Sequence, residues 1–124
     1  MANSNAYYDK SSQPVRPTKF FGQHFLKDEK ALAAIVAAGD LSDGDIVLEV
    51  GPGEGALTRQ LLQTGAKVVA VEKDPGLVEK LKNTFSKEIE GGQLEVTKAD
   101  IRDIDTEKLV NGENYKVIAN IPYY

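Results

Sequence analysis

With 124 residues, 41% of them hydrophobic and 27% charged, the chain is long enough for one domain with a modest core and too short for two. It has no cysteine and a single histidine, which excludes a disulfide framework, a thiolate metal site and a multi-histidine metal centre within it, and no apolar run suits a membrane span or a signal peptide. A net charge of −4 argues against this segment alone forming a nucleic-acid-binding surface. Residues 1–18, with Ser, Asn, Gln, Pro14 and Pro17 and no periodicity, read as a flexible arm ahead of one domain over 19–124. Asp28 is placed to cap a helix through residues 31–36, with Gly39 just past its end. Residues 45–50, "DIVLEV", form a short apolar strand, 51–55 a turn, and Ala56–Gln63 a helix with Leu57, Leu61 and Leu62 on one face, ended by Gly65. "KVVAVE", Lys67–Glu72, is apolar enough for a strand buried on both faces. Pro75 opens a helix along which Leu77, Val78, Leu81 and Phe85 recur, and Gly91-Gly92 breaks the chain. Residues 93–98 alternate as a third strand, 106–110 suit a short helix, and 115–120 form a fourth strand.

Strands alternating with helices predict an α/β fold: a parallel sheet with flanking helices and right-handed crossovers. Such a sheet usually has more strands, so the chain is expected to be the first part of a larger protein, truncated after the fourth strand. The turn "GPGEG" joins the first strand to the next helix. Gly51, Gly53 and Gly55 lack a Cβ, so the backbone there can turn sharply and approach a ligand closely, while the helix start directs free N–H groups to the same space. Glu72 closes the second strand about 20 residues on, where a carboxylate accepts hydrogen bonds from a ribose diol. The spacing G-x-G-x-G is not the dinucleotide G-x-G-x-x-G. A tight structural turn is the plain alternative, but loop and terminal acid together favour a nucleoside cofactor. Asp100, just beyond the third strand, can accept from an adenine amino group or simply cap a helix. Asp103 and Asp105 take that plain reading, a helix cap or a solvated loop acid.

Five segments in order, "FGQHFL" (21–26), "EVGPGEGALT" (49–58), "AVEKD" (70–74), "ADI" (99–101) and "NIPYY" (120–124), resemble the S-adenosylmethionine-dependent ribosomal RNA adenine dimethyltransferases. The resemblance runs from about Lys19 to Tyr124 and is nearer the housekeeping enzymes of small-subunit RNA than the resistance enzymes of large-subunit RNA. It implies a Rossmann-like class I methyltransferase fold and S-adenosyl-L-methionine as cofactor. It also implies that Gln23, His24 and Leu26 close over the methionine part, with Gly51 beside it. Glu72 matches the ribose acid, Asp100 the adenine acid, and Asn120 the residue touching both cofactor and target base. His24 stands where the family often has asparagine; both donate a hydrogen bond.

The implied chemistry fits "NIPY". The N6 lone pair of adenine is delocalised into the ring, so the amine is a poor nucleophile. Acceptors aimed at its two N–H groups, the Asn120 side-chain oxygen and the Ile121 carbonyl held by Pro122, localise that pair. Tyr123 offers a face for an unstacked base. Catalysis then rests on positioning and fixed dipoles, with no metal required. The partner implied is ribosomal RNA of the small subunit, the location cytoplasmic, with no membrane. In the arm, Lys10, Arg16, Lys19 and Lys27 interleave with Tyr7, Tyr8, Phe20 and Phe21 and can touch RNA; a flexible leader and cofactor lid is the plainer reading. The fragment is expected to bind cofactor, to methylate poorly, and to self-associate through an exposed sheet edge. Competing readings are a methyltransferase for a protein amide or small molecule, a nucleotide- or NAD-binding module, and a non-catalytic ribosome-assembly factor.

Overall fold

The computed structural model of the protein describes residues 28–119. The first element is a helix, α1 (Glu29–Gly39), started by Asp28, whose carboxylate accepts from Lys30 N and Ala31 N. Four parallel strands follow: β1 (Ile46–Val50), β2 (Lys67–Glu72), β3 (Leu94–Lys98) and β4 (Lys116–Ala119). Between β1 and β2 lies α2 (Ala56–Gln63). Between β2 and β3 lie α3 (Pro75–Thr84) and α4 (Ser86–Glu90). Between β3 and β4 lie a 3-10 turn (Ile101–Asp103) and α5 (Thr106–Leu109). The expected parallel α/β order is present; β2 has the expected bounds, and β1, β3 and β4 each begin one residue later than expected.

The strand order is β3-β2-β1-β4. Val47 pairs with Val68 on one side and Lys116 on the other, and Val50 with Val71 and Ala119. Progress from β1 to β2 to β3 runs one way across the sheet; the step from β3 to β4 reverses it. Right-handed crossovers put connections of opposite direction on opposite faces, and the core divides accordingly. One face packs Val47, Val68, Ala70, Leu94 and Ile118 against Leu32 and Ile35 of α1, Leu57 and Leu61 of α2, and Leu81 and Phe85 at the end of α3. The other packs Leu48, Val50, Val69, Val71 and Ala119 under Ile101, Ile104, Leu109 and Tyr115. β1 and β2 therefore read as near-continuous apolar runs, as strands covered on both faces should.

Three local details differ from the sequence reading. Gly39 is the last residue of α1, not a residue beyond it; the left-handed cap is Asp40, at φ 49° and ψ 56°. A short polar side chain tolerates that region better than most. Lys116 Nζ donates to the carbonyls of Gly39 and Asp40, at 3.0 and 2.8 Å, and so fastens β4 to the end of α1. Gln93 lies outside the third strand: its side-chain amide donates to Leu62 O and Ala66 O, satisfying carbonyls at the exit of α2. α4 was not expected; Phe85, at φ −113° and ψ 33°, separates it from α3.

Candidate functional site

In open parallel sheets the ligand crevice opens where neighbouring connections leave on opposite faces, outside the carboxyl ends of the strands. Here that place lies between β1 and β4. The "GPGEG" loop leaves the end of β1 at this edge. Gly51 (φ 74°), Gly53 (φ 59°) and Gly55 (φ 97°) are all in the left-handed region, so the loop is an alternation that only glycine enters cheaply. Gly51 N still donates to Val71 O (3.0 Å), and Gly55 N closes a turn onto Pro52 O (3.0 Å). Gly55 has a second reason to be glycine. A Cβ there would sit 2.6 Å from Phe85 Cε2 and 3.1 Å from Leu81 Cδ2. No side chain caps α2, which begins directly after Gly55.

Glu72 ends β2 beside this loop and is only 7% exposed. Its Oε1 accepts from Gly53 N (3.2 Å) and its Oε2 from Asp74 N (3.0 Å). A carboxylate offers about four lone-pair positions, so two backbone bonds leave about two for a ligand. The acid expected to meet a ribose is thus also the tie that fixes the loop. Ala99 N donates to Glu72 O (3.0 Å), bringing the exit of β3 alongside. Asp100 follows. Its Oδ1 accepts from Arg102 N (2.9 Å) and Arg102 Nε (3.0 Å), and its Oδ2 from Arg102 Nη2 (2.6 Å). The Arg102 side-chain and backbone N–H groups hold the Asp100 carboxyl well below the usual carboxylate range. Asp100 therefore does what the plainer alternative described, capping the 3-10 turn, and also stands at the strand end where an adenine acceptor was expected. Asp105, read as a helix cap or a loop acid, is the cap: it starts α5 by accepting from Glu107 N and Lys108 N.

The sequence reading passed over Glu49. It lies in β1, two residues before Gly51, fully buried, with Oε1 accepting a 2.6 Å hydrogen bond from Thr58 Oγ1 in the first turn of α2. Among the described residues Oε2 has no hydrogen-bond partner. Burial pushes this carboxyl up to about 7; the Thr58 hydroxyl opposes the rise and the Glu72 charge adds to it. The signal was legible: an acid inside a run otherwise apolar enough to be buried on both faces. Gly51, Gly53, Glu72 and Asp100 thus gather at one sheet edge. The other expected site residues, Gln23, His24, Leu26, Asn120, Ile121, Pro122 and Tyr123, lie outside the described residues, as does the arm over 1–18.

The sequence model of the family described as "Ribosomal RNA adenine dimethylase" matches residues 16–124. The chain belongs to this family. A similar family member, "Ribosomal RNA small subunit methyltransferase A" of Thermosynechococcus vestitus, is 50% identical over 109 residues, covering 88% of this chain. This chain spans only 38% of that relative's length. Among solved structures, a dimethyladenosine transferase from Plasmodium falciparum matches with a TM-score of 0.60 at 30% identity, over 77% of this chain and 33% of that one. The 23S rRNA methyltransferase ErmE matches with a TM-score of 0.58 at 29% identity, over 73% of this chain and 43% of that one. The Rossmann-like methyltransferase fold expected for the ribosomal RNA adenine dimethylase family is the fold found. No helix among the described residues is long and apolar enough to cross a membrane.

Proposed function

We propose that this chain forms the cofactor-binding part of an S-adenosyl-L-methionine-dependent dimethyltransferase. It acts at adenine N6 in ribosomal RNA of the small subunit, in the cytoplasm. The observation that carries the reading is the buried Glu72 carboxylate, tied to the Gly53 amide with acceptor positions to spare. Family membership and the small-subunit names of its relatives support the choice of substrate.

In this reading the backbone at Gly51 and Gly53 lies against the methionine part of the cofactor. Glu72 receives the ribose hydroxyls and Asp100 the adenine amine. Gln23, His24 and Leu26 close over the methionine part. The cofactor supplies the electrophilic methyl group. Asn120 and the Ile121 carbonyl, set by Pro122, accept from the two N–H groups of the target amine, and Tyr123 stacks on the target base. The outer edge of β4, where Val117 is 49% exposed, is the surface for self-association.

Calorimetric titration with S-adenosylhomocysteine tests the site, and transfer of labelled methyl groups to ribosomal RNA tests the substrate. Glu72→Ala is expected to weaken S-adenosylhomocysteine roughly 10- to 100-fold, the loss of charged hydrogen bonds to a diol. An unchanged affinity in the variant refutes the ribose role. Arg102→Ala is expected to act in the opposite sense. Arg102 is 79% exposed and competes for Asp100, and an exposed pair is readily displaced. Its removal frees the acceptor, so affinity for adenine-bearing ligands rises roughly two- to fivefold with the melting temperature unchanged. Weaker binding would mean that Arg102 itself holds the ligand.

A further inference from the structure

Among the described residues Glu49 is the one buried titratable group at this edge that the proposed mechanism does not use. Its surroundings are few. Thr58 of α2 contacts one carboxylate oxygen. Its strand neighbours are apolar, Ala70 on β2 and Ile118 on β4. On the same face stand Leu57 and Leu61 of α2, Leu32 and Ile35 of α1, and Leu81 and Phe85. The charged group that acts on it is Glu72, at the end of β2, which is anionic and repels it. The one charged residue of α2, Arg59, lies over the Phe85 ring at 5.0 Å. Among the described residues no cation pairs with Glu49 and its second oxygen is buried without a partner; the loop is reached through Glu72, whose charge acts on Glu49 and whose Oε1 accepts from Gly53 N.

A buried carboxylate with one hydrogen bond and an acidic neighbour is costly, and its neutral form relieves both the desolvation and the repulsion. A ligand carrying positive charge on the loop changes that balance. S-adenosylmethionine has a sulfonium, an ammonium and a carboxylate, a net charge of about +1, whereas S-adenosylhomocysteine lacks the sulfonium and is about neutral overall. We propose that Glu49 is a proton-linked positioning residue of the cofactor site: neutral in the empty protein, it gives its proton to solvent when a sulfonium ligand binds on the glycine loop. The Oε1–Thr58 bond persists in both states and keeps β1 docked on α2. The new charge on Glu49 then favours the sulfonium over its neutral product. The inference rests on the reading of the loop as a sulfonium-cofactor site and adds a discrimination between substrate and product to it.

The test is calorimetry on the purified protein with S-adenosylmethionine and S-adenosylhomocysteine at pH 6.5, in buffers of different ionisation enthalpy. The wild type is expected to release roughly half to three-quarters of a proton per S-adenosylmethionine bound and clearly less with S-adenosylhomocysteine. Glu49→Gln, whose amide oxygen still accepts from Thr58, is expected to remove this difference, which separates Glu49 from the ligand's own ammonium. In infrared difference spectra, a protonated-carboxyl band should be lost on adding S-adenosylmethionine to the wild type and be absent from the variant. If both proteins bind both ligands with equal proton release, the coupling is overturned while the cofactor site stands. If neither ligand binds the wild type at any pH, the reading of the site falls, and the coupling with it.

Discussion

Gly55→Ala is expected to destabilise the protein by about 2–5 kcal/mol, seen as a lower urea midpoint with an unchanged slope. Two effects add. The backbone at Gly55 is left-handed, φ 97° and ψ 12°, which costs an L-residue about 1–2 kcal/mol. The new methyl would also stand 2.6 Å from Phe85 Cε2, and Phe85 is fully packed against the face of the sheet that carries α1 to α3. Overpacking of this kind costs about 1–3 kcal/mol. Gly53→Ala is the control. Gly53 is also left-handed, φ 59°, but a Cβ there meets nothing within 4 Å, so only the backbone effect of about 1–2 kcal/mol is expected. Equal losses at the two positions would show that Phe85 moves aside without penalty. The comparison matters for function because Phe85 and Gly55 together set where α2 starts, and hence where its first amides lie relative to the loop.

The parts of the fold legible in the sequence are those governed by short-range rules. Asp28, Asp74 and Asp105 each cap a helix through their own side chains, and two of the three helices they start were placed within about two residues. β1 and β2, apolar but for Glu49 and the terminal Lys67 and Glu72, read as strands from their apolar runs. Glu72 could be placed at a strand end beside the glycine loop because both are set by short-range rules; its bond to Gly53 N could not. What was missed depends on contacts distant in sequence. Gln93 looks like the first residue of an alternating strand and instead caps α2, 31 residues away. Asp40 takes the left-handed cap that Gly39 seemed made for, with the end of α1 secured by Lys116, about 76 residues on. Asp100 was seen both as an adenine acceptor and as a cap, but Arg102 as its partner was not, because charge alone does not say which way a guanidinium folds. Glu49 was hidden by the apolar company that should have marked it.

Glu49 also dictates how stability should depend on pH before any ligand binds. Its carboxyl titrates at about 7 in the folded protein against an ordinary value of 4.5. Between these values the folded state holds a proton that the unfolded chain has lost. Stability from this group is therefore full below about pH 4.5, falls as pH rises towards 7, and is level above it. The drop amounts to about 3 kcal/mol, since each unit of difference is worth about 1.4 kcal/mol. Glu49→Gln has no such drop. The difference in unfolding free energy between variant and wild type should shift by about 3 kcal/mol in favour of the variant from pH 4 to pH 8, other titrating groups cancelling in the comparison. Thr58→Val removes the hydroxyl that holds the carboxyl down, so the same descent should extend to higher pH. A pH-independent difference between Glu49→Gln and wild type would mean that the carboxyl binds its proton equally in the folded and unfolded chains, with no rise from its ordinary value of 4.5. The partnerless oxygen would then need a cationic or N–H donor from the residues outside 28–119. If the shift is found, β1 carries near neutral pH a carboxyl poised between two states two residues before the loop begins, and a charge brought near it decides which one prevails.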